Sequence, residues 1–545
     1  MHIFTNLSVG EGGEDQYLVL KISLFMREGG KNMADTIKAG SIQPWDVKDL
    51  PAAPPRGFKN VMKMIGPGAI MLSLSIGSGE WLMGPAAAVQ YGPMLMWITT
   101  IACIVQTFFN LECIRYAAFT GEPMMIGYNR LKPGRWLWGP FWIVTCVVCI
   151  GPGWAIGSAT AWAAILLNRM PGAADKTTVM VWGIVLTAIV LFMLLWGRKV
   201  ENTLEKISWA IVAFIVGSLI ILIIGWVPGE AIWNVTKGFF MFGSIPEGAD
   251  PVLLGGFAAY SAAGGIFNIS SSNWFRDKGY AMGKEVGFIS GAIGGEKIEV
   301  HPTGIVFKPT AENLKRWKDW LHFARIDQWI IFGFGCWLGM WLTVTFAVGM
   351  IPPGTKIAGW AVAGYQGNAI RNFLGTPGWV WVHLIGFWVL FGTQLGVTDS
   401  ATRQMADMLY NLWPGLRKWI KGDIRIIYYI VFALVVIWVI VTVAVVELPL
   451  TYILISANIA GFVFVYGGIQ TLVVNHKFLP KAIRLNWFED LMVICMIIFY
   501  AIFSLFAVNK AFKTTGVVVL TIVYLVVLIF ALVDFAKRKE EGYQE

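Results

Sequence analysis

Polar and ionisable side chains are costly inside apolar segments, so each one that interrupts such a segment is a candidate for chemistry. The foremost is Glu80, in Gly77-Ser78-Gly79-Glu80. Glycine weakens a helix there and leaves backbone amides and carbonyls exposed. A carboxylate at that point either meets a cargo or coupling ion, as a metal ligand, or caps the helical segment that follows. A second weak point is Ala263-Gly264-Gly265, followed by Asn268 and Ser270-Ser271-Ser272, whose polar groups either line a pathway or bond back to their own helix. Gln394 and Asn458 are further pathway candidates. Asp399, Arg403 and Asp407 recur every fourth residue and make either an inner gate or a solvated helix end. Glu112 and Arg115, three apart on one helix face, suit a structural ion pair.

Other chemistries find little support. The five histidines are scattered, with His301 beside Pro302 reading as a turn residue and His383, near several tryptophans, as an interface residue. Cys146-x-x-Cys149 has redox spacing but no neighbouring His or Asp, so all six cysteines read as small hydrophobes without a disulfide framework. HExxH, a Ser/His/Asp set and GxxxxGK[ST] are all missing, which argues against an enzyme and against direct ATP drive. The expected cofactor list is empty, apart from a transported ion such as Mg²⁺ or Mn²⁺.

The elements that must position these residues are membrane helices. Of 545 residues 57% are hydrophobic and 14% charged, against about a quarter charged in soluble domains. Apolar runs long enough to cross a bilayer recur throughout. Twelve spans are expected near 62–91, 93–118, 137–167, 178–196, 206–228, 251–272, 322–350, 378–410, 425–447, 449–474, 487–508 and 515–535. Assigning alternate connections to opposite sides puts 30 Lys and Arg on one side and seven on the other, with five more in the distal amino-terminal tail. Positive charge stays cytoplasmic on insertion, so both termini are expected inside, in a prokaryotic plasma membrane. The net charge of +9 follows this alternation and does not read as a nucleic-acid patch. The partners expected are the lipid bilayer and a small ion or solute.

Residues 1–60 read as a disordered cytoplasmic tail with no signal peptide. Glu28-Gly29-Gly30 suits a purine-rich ribosome-binding sequence, so Met33 is expected to be the natural start. The connection 276–320 carries an expected hairpin over 297–308 and a basic amphipathic surface helix over 311–320. Span 62–91 is too long for a straight crossing, and five spans later 251–272 is interrupted by glycine. Matched breaks in two five-span halves point to inverted repeats. Irregular backbone cannot face lipid, so both breaks are expected to line a cavity.

The order of motifs also carries a family likeness. Gly66-Pro67-Gly68, the break at Gly77–Glu80, Gln90-Tyr91-Gly92, Arg115 and Thr120-Gly121 follow one another in the first two spans. Ile156-Gly157-Ser158-Ala159 lies in span three, and Phe391-Gly392-Thr393-Gln394 begins a stretch of span eight that runs to Met405. This series resembles the Nramp divalent-metal transporters over roughly residues 60–480. The resemblance implies an all-α LeuT-type fold of inverted five-helix repeats (about 62–228 and 251–474) with helices one and six broken. Two additional helices and a short tail would occupy 481–545. It also implies alternating access at a midplane site and proton-driven import of a divalent metal.

The chain departs from the family where that chemistry resides. The family's Asp-Pro-Gly-Asn is Gly77-Ser78-Gly79-Glu80 here, and its Met-Pro-His is approximately Ala263-Gly264-Gly265. Gly151 and Trp154 stand where span three would carry acids linked to proton movement. Loss of sulfur and imidazole favours hard cations, such as a magnesium-like ion that keeps most of its waters. The expected function is therefore transport of a metal cation, with proton coupling in doubt. A small organic solute on the same scaffold, or a channel or sensor, is the alternative.

Overall fold

The computed structural model describes residues 36–195, 200–290, 300–357, 361–445 and 449–536. The expected start at Met33, residues 297–299 of the expected hairpin and the final tail lie outside the described residues.

The chain is helical nearly throughout. Helix α1 (Phe58–Met64) leads at a bend of 56° into the first span, which is built from α2 (Pro67–Ser75), a π-helical turn (Gly79–Met83) and α3 (Gly84–Tyr91). The next spans are α4 (Trp97–Thr120), then α5 (Met124–Arg130) as a connector, α6 (Arg135–Cys149) joined to α7 (Gly153–Leu167), α8 (Lys176–Leu195) and α9 (Val200–Trp226). After α10 (Gly229–Gly238) the sixth span is split into α11 (Pro251–Tyr260), α12 (Ile266–Ile269) and α13 (Ser271–Asp277). The remaining long helices are α14 (Ala311–Ile326), continued through a π segment (Asp327–Phe334) into α15 (Gly335–Met350), then α16 (Ala361–Leu412), α17 (Ile424–Val445), α18 (Pro449–Phe478) and α19 (Trp487–Ala536).

Among the described residues nine helices are long and apolar enough to cross a membrane, or ten with the bent first pair counted as one. That count takes α19 as one, although the non-helical backbone at Lys513 (φ 55°) divides it into two helices where spans eleven and twelve were expected, and it leaves out the split sixth span as too short. Gly375 (φ 64°) kinks α16 in the same way, two residues before Pro377. Beyond Lys513 the last helix buries little, and Val519, Ile522 and Ile529 face outward as a lipid-contacting surface would.

Three sequence readings are corrected. The tail is ordered from Thr36 onward: β1 (Thr36–Ile37) pairs antiparallel with β2 (Trp45–Val47). The strand over Ile305–Val306, β3, pairs in parallel with β2 instead of closing a local hairpin. The helix expected over 311–320 is the first part of α14; its Trp317 and Trp320 are buried instead of lying on a membrane surface.

Candidate transport site between the broken helices

The first break is a kink followed by a widened, π-type turn. Helix α2 ends at Ser75, Ile76 leaves helical geometry at ψ 78°, and the Gly84 N–H then bonds the Gly79 carbonyl five residues back. The second break is fully irregular: Ala262 (φ 151°), Gly264 (φ 90°) and Gly265 (φ 64°) carry the chain from α11 to α12. Positive φ at the two glycines has a direct steric reason for the residue type. The breaks touch. A Cβ on Gly79 would lie 1.9 Å from the Tyr260 carbonyl oxygen, so the first break passes hard against the end of α11 only because residue 79 has no side chain.

A small cavity lies between them. The first span lines it with Leu74, Ser75, Ser78 and Gly79, and the sixth with Tyr260, Ala262, Ala263 and Phe267. Helix α7 adds Trp154, and α16 adds Thr393 and Val397. Room for the centre of a water molecule amounts to about 10 Å³, the space of roughly one water. No lining residue is charged.

Glu80 is fully buried but is not among the lining residues. Its Oε2 accepts the Gly77 N–H at 3.1 Å, while Oε1 has no hydrogen-bond partner. Its electrostatic neighbours are the thiols of Cys103 on α4 and Cys336 on α15. Among the described residues no basic side chain pairs with it, in contrast to the ion-paired carboxylates elsewhere. A buried carboxylate with a bare oxygen is a place where a positive charge is strongly favoured.

The remaining candidates fall into three groups. Asn268 joins a chain of buried amides. Gln106 Oε1 accepts from the Ala263 N–H (3.0 Å) and from Asn268 (3.1 Å), and Asn268 also donates to Asn110 (2.9 Å). Asn110 donates to Gln328 (3.0 Å), which donates to Asp327 (2.9 Å). Asp327 in turn accepts the N–H groups of Gly66 (3.1 Å) and Gly68 (2.8 Å) at the start of α2. A continuous hydrogen-bonded path thus links the second break to the amino-terminal end of the first span. Gln394 lies elsewhere: it donates to Thr187 on α8 (2.9 Å) and accepts from Ser158 (3.5 Å). Asn458 donates to Val252 O and Leu454 O.

The stripe on α16 is fully buried and paired. Arg403 binds Asp399 (2.8 Å) and also Asp277 of α13, and Arg276 binds Asp407 (2.6 Å). Tyr428 and Trp274 donate to Asp399 at 2.7 and 2.9 Å, and Asn273 donates to Asp407 at 2.7 Å. This network seals α13 against α16 and α17, so those residues are no solvated helix end. Glu112 and Arg115 pair at 2.7 Å, and Arg115 also reaches Glu489 at 2.8 Å. His383, expected at the interface, is buried within the protein against Trp379, with ring centroids 3.9 Å apart. His301 sits in its turn, with Nδ1 2.7 Å from Thr303 O, and Nε2 lies 3.2 Å from Asp46.

Sequence reasoning did not single out Ser75, Tyr260, Phe267 or Thr393 as site residues. Tyr260 and Thr393 adjoin segments that carried a signal, and Trp154 was visible only as a departure from a family pattern. Ser78, Gly79 and Ala263 do line the cavity; Gly77, Gly264 and Gly265 shape it from behind. Among the described residues no group of three or more His, Cys, Asp or Glu side chains is placed to hold a metal ion.

Comparison with known proteins bears on the scaffold. No family model matches the chain. It is 25% identical over 199 residues to the divalent metal cation transporter MntH of Latilactobacillus sakei subsp. sakei (strain 23K), a match covering 34% of this chain and 41% of that relative. The chain therefore spans less than half the length of that relative in the match. Crystal structures of the Eremococcus coleocola manganese transporter, one with an aromatic bis-isothiourea substituted compound and one of a point mutant, each superpose with a TM-score of 0.63. Identity is 13%, with 90% of this chain and 98% of theirs covered. The chain has the fold of that transporter, and the resemblance to the Nramp group drawn from its motifs is borne out.

Proposed function

We propose that this chain is an Nramp-type secondary transporter that carries a metal cation by alternating access through the meeting point of its two broken helices. The observation that carries the reading is Glu80, a fully buried carboxylate at the first break with one oxygen unpartnered and, among the described residues, no basic side chain paired with it. The scaffold likeness to a manganese transporter and the match to a divalent metal cation transporter support the same class. Hydroxyls of Ser75, Ser78 and Thr393 line the cavity, the Glu80 carboxylate follows the lining residue Gly79, and the second break carries no thioether or imidazole, so the oxygen donors there suit a hard, partly hydrated divalent ion. A transporter needs no catalytic group, and none is assigned. Both termini are taken as cytoplasmic, from the charge alternation.

The test is binding and uptake by the full-length protein. Mg²⁺, Mn²⁺ and Ca²⁺ should each raise its thermal midpoint and enter proteoliposomes, with Mn²⁺ not strongly preferred. With Gly151 and Trp154 in the places of acids, uptake should not acidify the vesicle interior beyond leak. A second reading, transport of a small organic solute, is favoured by one observation: no residue lining the cavity is charged. Binding of an organic solute with no response to any divalent cation would establish it.

A further inference from the structure

Trp154 lines the cavity between the two breaks. It opens α7 directly after Gly151-Pro152-Gly153, and its side chain is 3% exposed. The indole N–H donates to Ser78 Oγ at 3.3 Å, tying the ring to the first break. The ring centroid lies 6.1 Å from that of Tyr260 and 6.2 Å from that of Phe267, the aromatic residues on either side of the second break. One side chain thus spans both breaks and fills the space between them. What remains is room for about one water.

That geometry separates size from charge as a means of selection. The lining offers hydroxyls, aliphatic groups and aromatic rings but no formal charge, so no charged side chain in it repels an organic ion or zwitterion. Exclusion must be steric. Any cargo with a carbon skeleton has to displace the indole, breaking its bond to Ser78 and its ring contacts, whereas an ion that exchanges waters for hydroxyl and backbone oxygens does not. We propose that Trp154 is the specificity-determining residue of this site, a size filter that confines the cargo to a small ion and excludes organic solutes. The proposal rests on the transport reading for its cargo; the filter itself rests on the cavity.

Two variants separate the roles of the ring. Trp154→Ala removes it and should leave an apolar space that accepts free indole, as cavities cut into packed interiors accept small aromatics. Trp154→Phe keeps an aromatic ring and loses the N–H. Purified full-length wild type and both variants would be tested for thermal stabilisation by indole. Proteoliposome uptake of Mn²⁺, Mg²⁺, tetramethylammonium and L-alanine would be measured in parallel. Wild type and Trp154→Phe should exclude the two organic probes and ignore indole. Trp154→Ala should bind indole and gain about tenfold or more in uptake of an organic probe relative to Mn²⁺, the scale on which apolar pockets discriminate by size. Indole binding by Trp154→Ala with unchanged selectivity would overturn the filter, and so would wild-type uptake of either organic probe. If wild type carries neither metal, the cation reading fails by itself. The filter then stands or falls on whether Trp154→Ala gains organic uptake that wild type lacks. Should Trp154→Ala not fold, Trp154→Leu opens a smaller space and is judged by the same comparison.

Discussion

Glu80 and Gly79 sit side by side and make opposite demands on their surroundings. Glu80 needs a positive charge in an environment of low dielectric, where one charge dominates the local energetics. Glu80→Gln keeps the shape and the bond to the Gly77 N–H but removes that demand. It should abolish stabilisation by Mg²⁺ and Mn²⁺ while the protein still folds, read as a flat thermal midpoint against cation concentration. At a hundred times Kd the wild type should gain about 2.7 kcal/mol. Normal transport by Glu80→Gln would make the residue a helix cap. Gly79 instead demands emptiness. Gly79→Ala places a methyl group 1.9 Å from the Tyr260 carbonyl oxygen, which must force the two breaks apart. A cost of about 1–3 kcal/mol is expected, with transport lost beyond what the fall in stability explains. The importance of Glu80 was legible in the sequence, because a carboxylate beside two glycines in an apolar run has few bland explanations. Its direction was not. A π turn inserts an extra residue per turn, so a periodicity of 3.6 cannot foretell that the side chain leaves the cavity lining for the neighbourhood of Cys103 and Cys336.

At the level of elements, the face of the bundle that carries the amino-terminal segment is held by contacts between segments far apart in the chain. Trp45 of β2 is fully buried, with Tyr116, Phe119 and Phe478 ring centroids 6.0–6.4 Å away. Arg130 at the end of α5 donates to Ala39 O (2.7 Å) and Gln43 O (3.0 Å) and pairs with Glu122 at 2.5 Å. Burial alone would push the Glu122 carboxyl up, but the Arg130 guanidinium, the Tyr116 hydroxyl and the Gly304 N–H together hold it below the ordinary carboxylate range. A carboxyl whose folded value is depressed contributes stability above its unfolded value, about 4.3, and loses it as pH falls through the lower folded value. Glu122→Gln should therefore flatten the acid limb of the stability profile between those values. It should also cost about 3–5 kcal/mol at neutral pH, since Arg130 is left buried without its counter-charge. A variant whose acid limb matches the wild type would sink this account. None of this was legible from local pattern. Residues 36–50 are polar enough to read as a disordered tail, and Ile305-Val306 reads as half of a hairpin. The partner of each is the other, more than 250 positions away, and no short-range signal encodes that.

For the molecule as a whole, the helical layout was the most legible feature, because length, hydropathy and charge alternation all report on the bilayer. Single-cysteine reporters at Lys237 and Lys481 should confirm the orientation: an impermeant thiol reagent added outside intact cells should label the first and not the second, and the reverse would invert the topology. Matched glycine breaks also announced the two broken spans. The kink at Lys513 was legible too, since Asn509, Lys510 and Lys513 interrupt the apolar run between the two last expected spans. The parallel pairing of β2 with β3 has a consequence for how the protein is made. Asp46 and Val47 leave the ribosome long before their partners Ile305 and Val306 exist. At about 5–20 residues per second, the amino-terminal segment waits on the order of tens of seconds beside a half-built bundle. Its docking site is completed only when Phe478 at the end of α18, one of the rings packed on Trp45, has been made as well. The face that carries this segment is therefore closed late in synthesis by an early part of the nascent chain, and a chain stalled before residue 305 would leave the edge at Asp46 and Val47 unpaired.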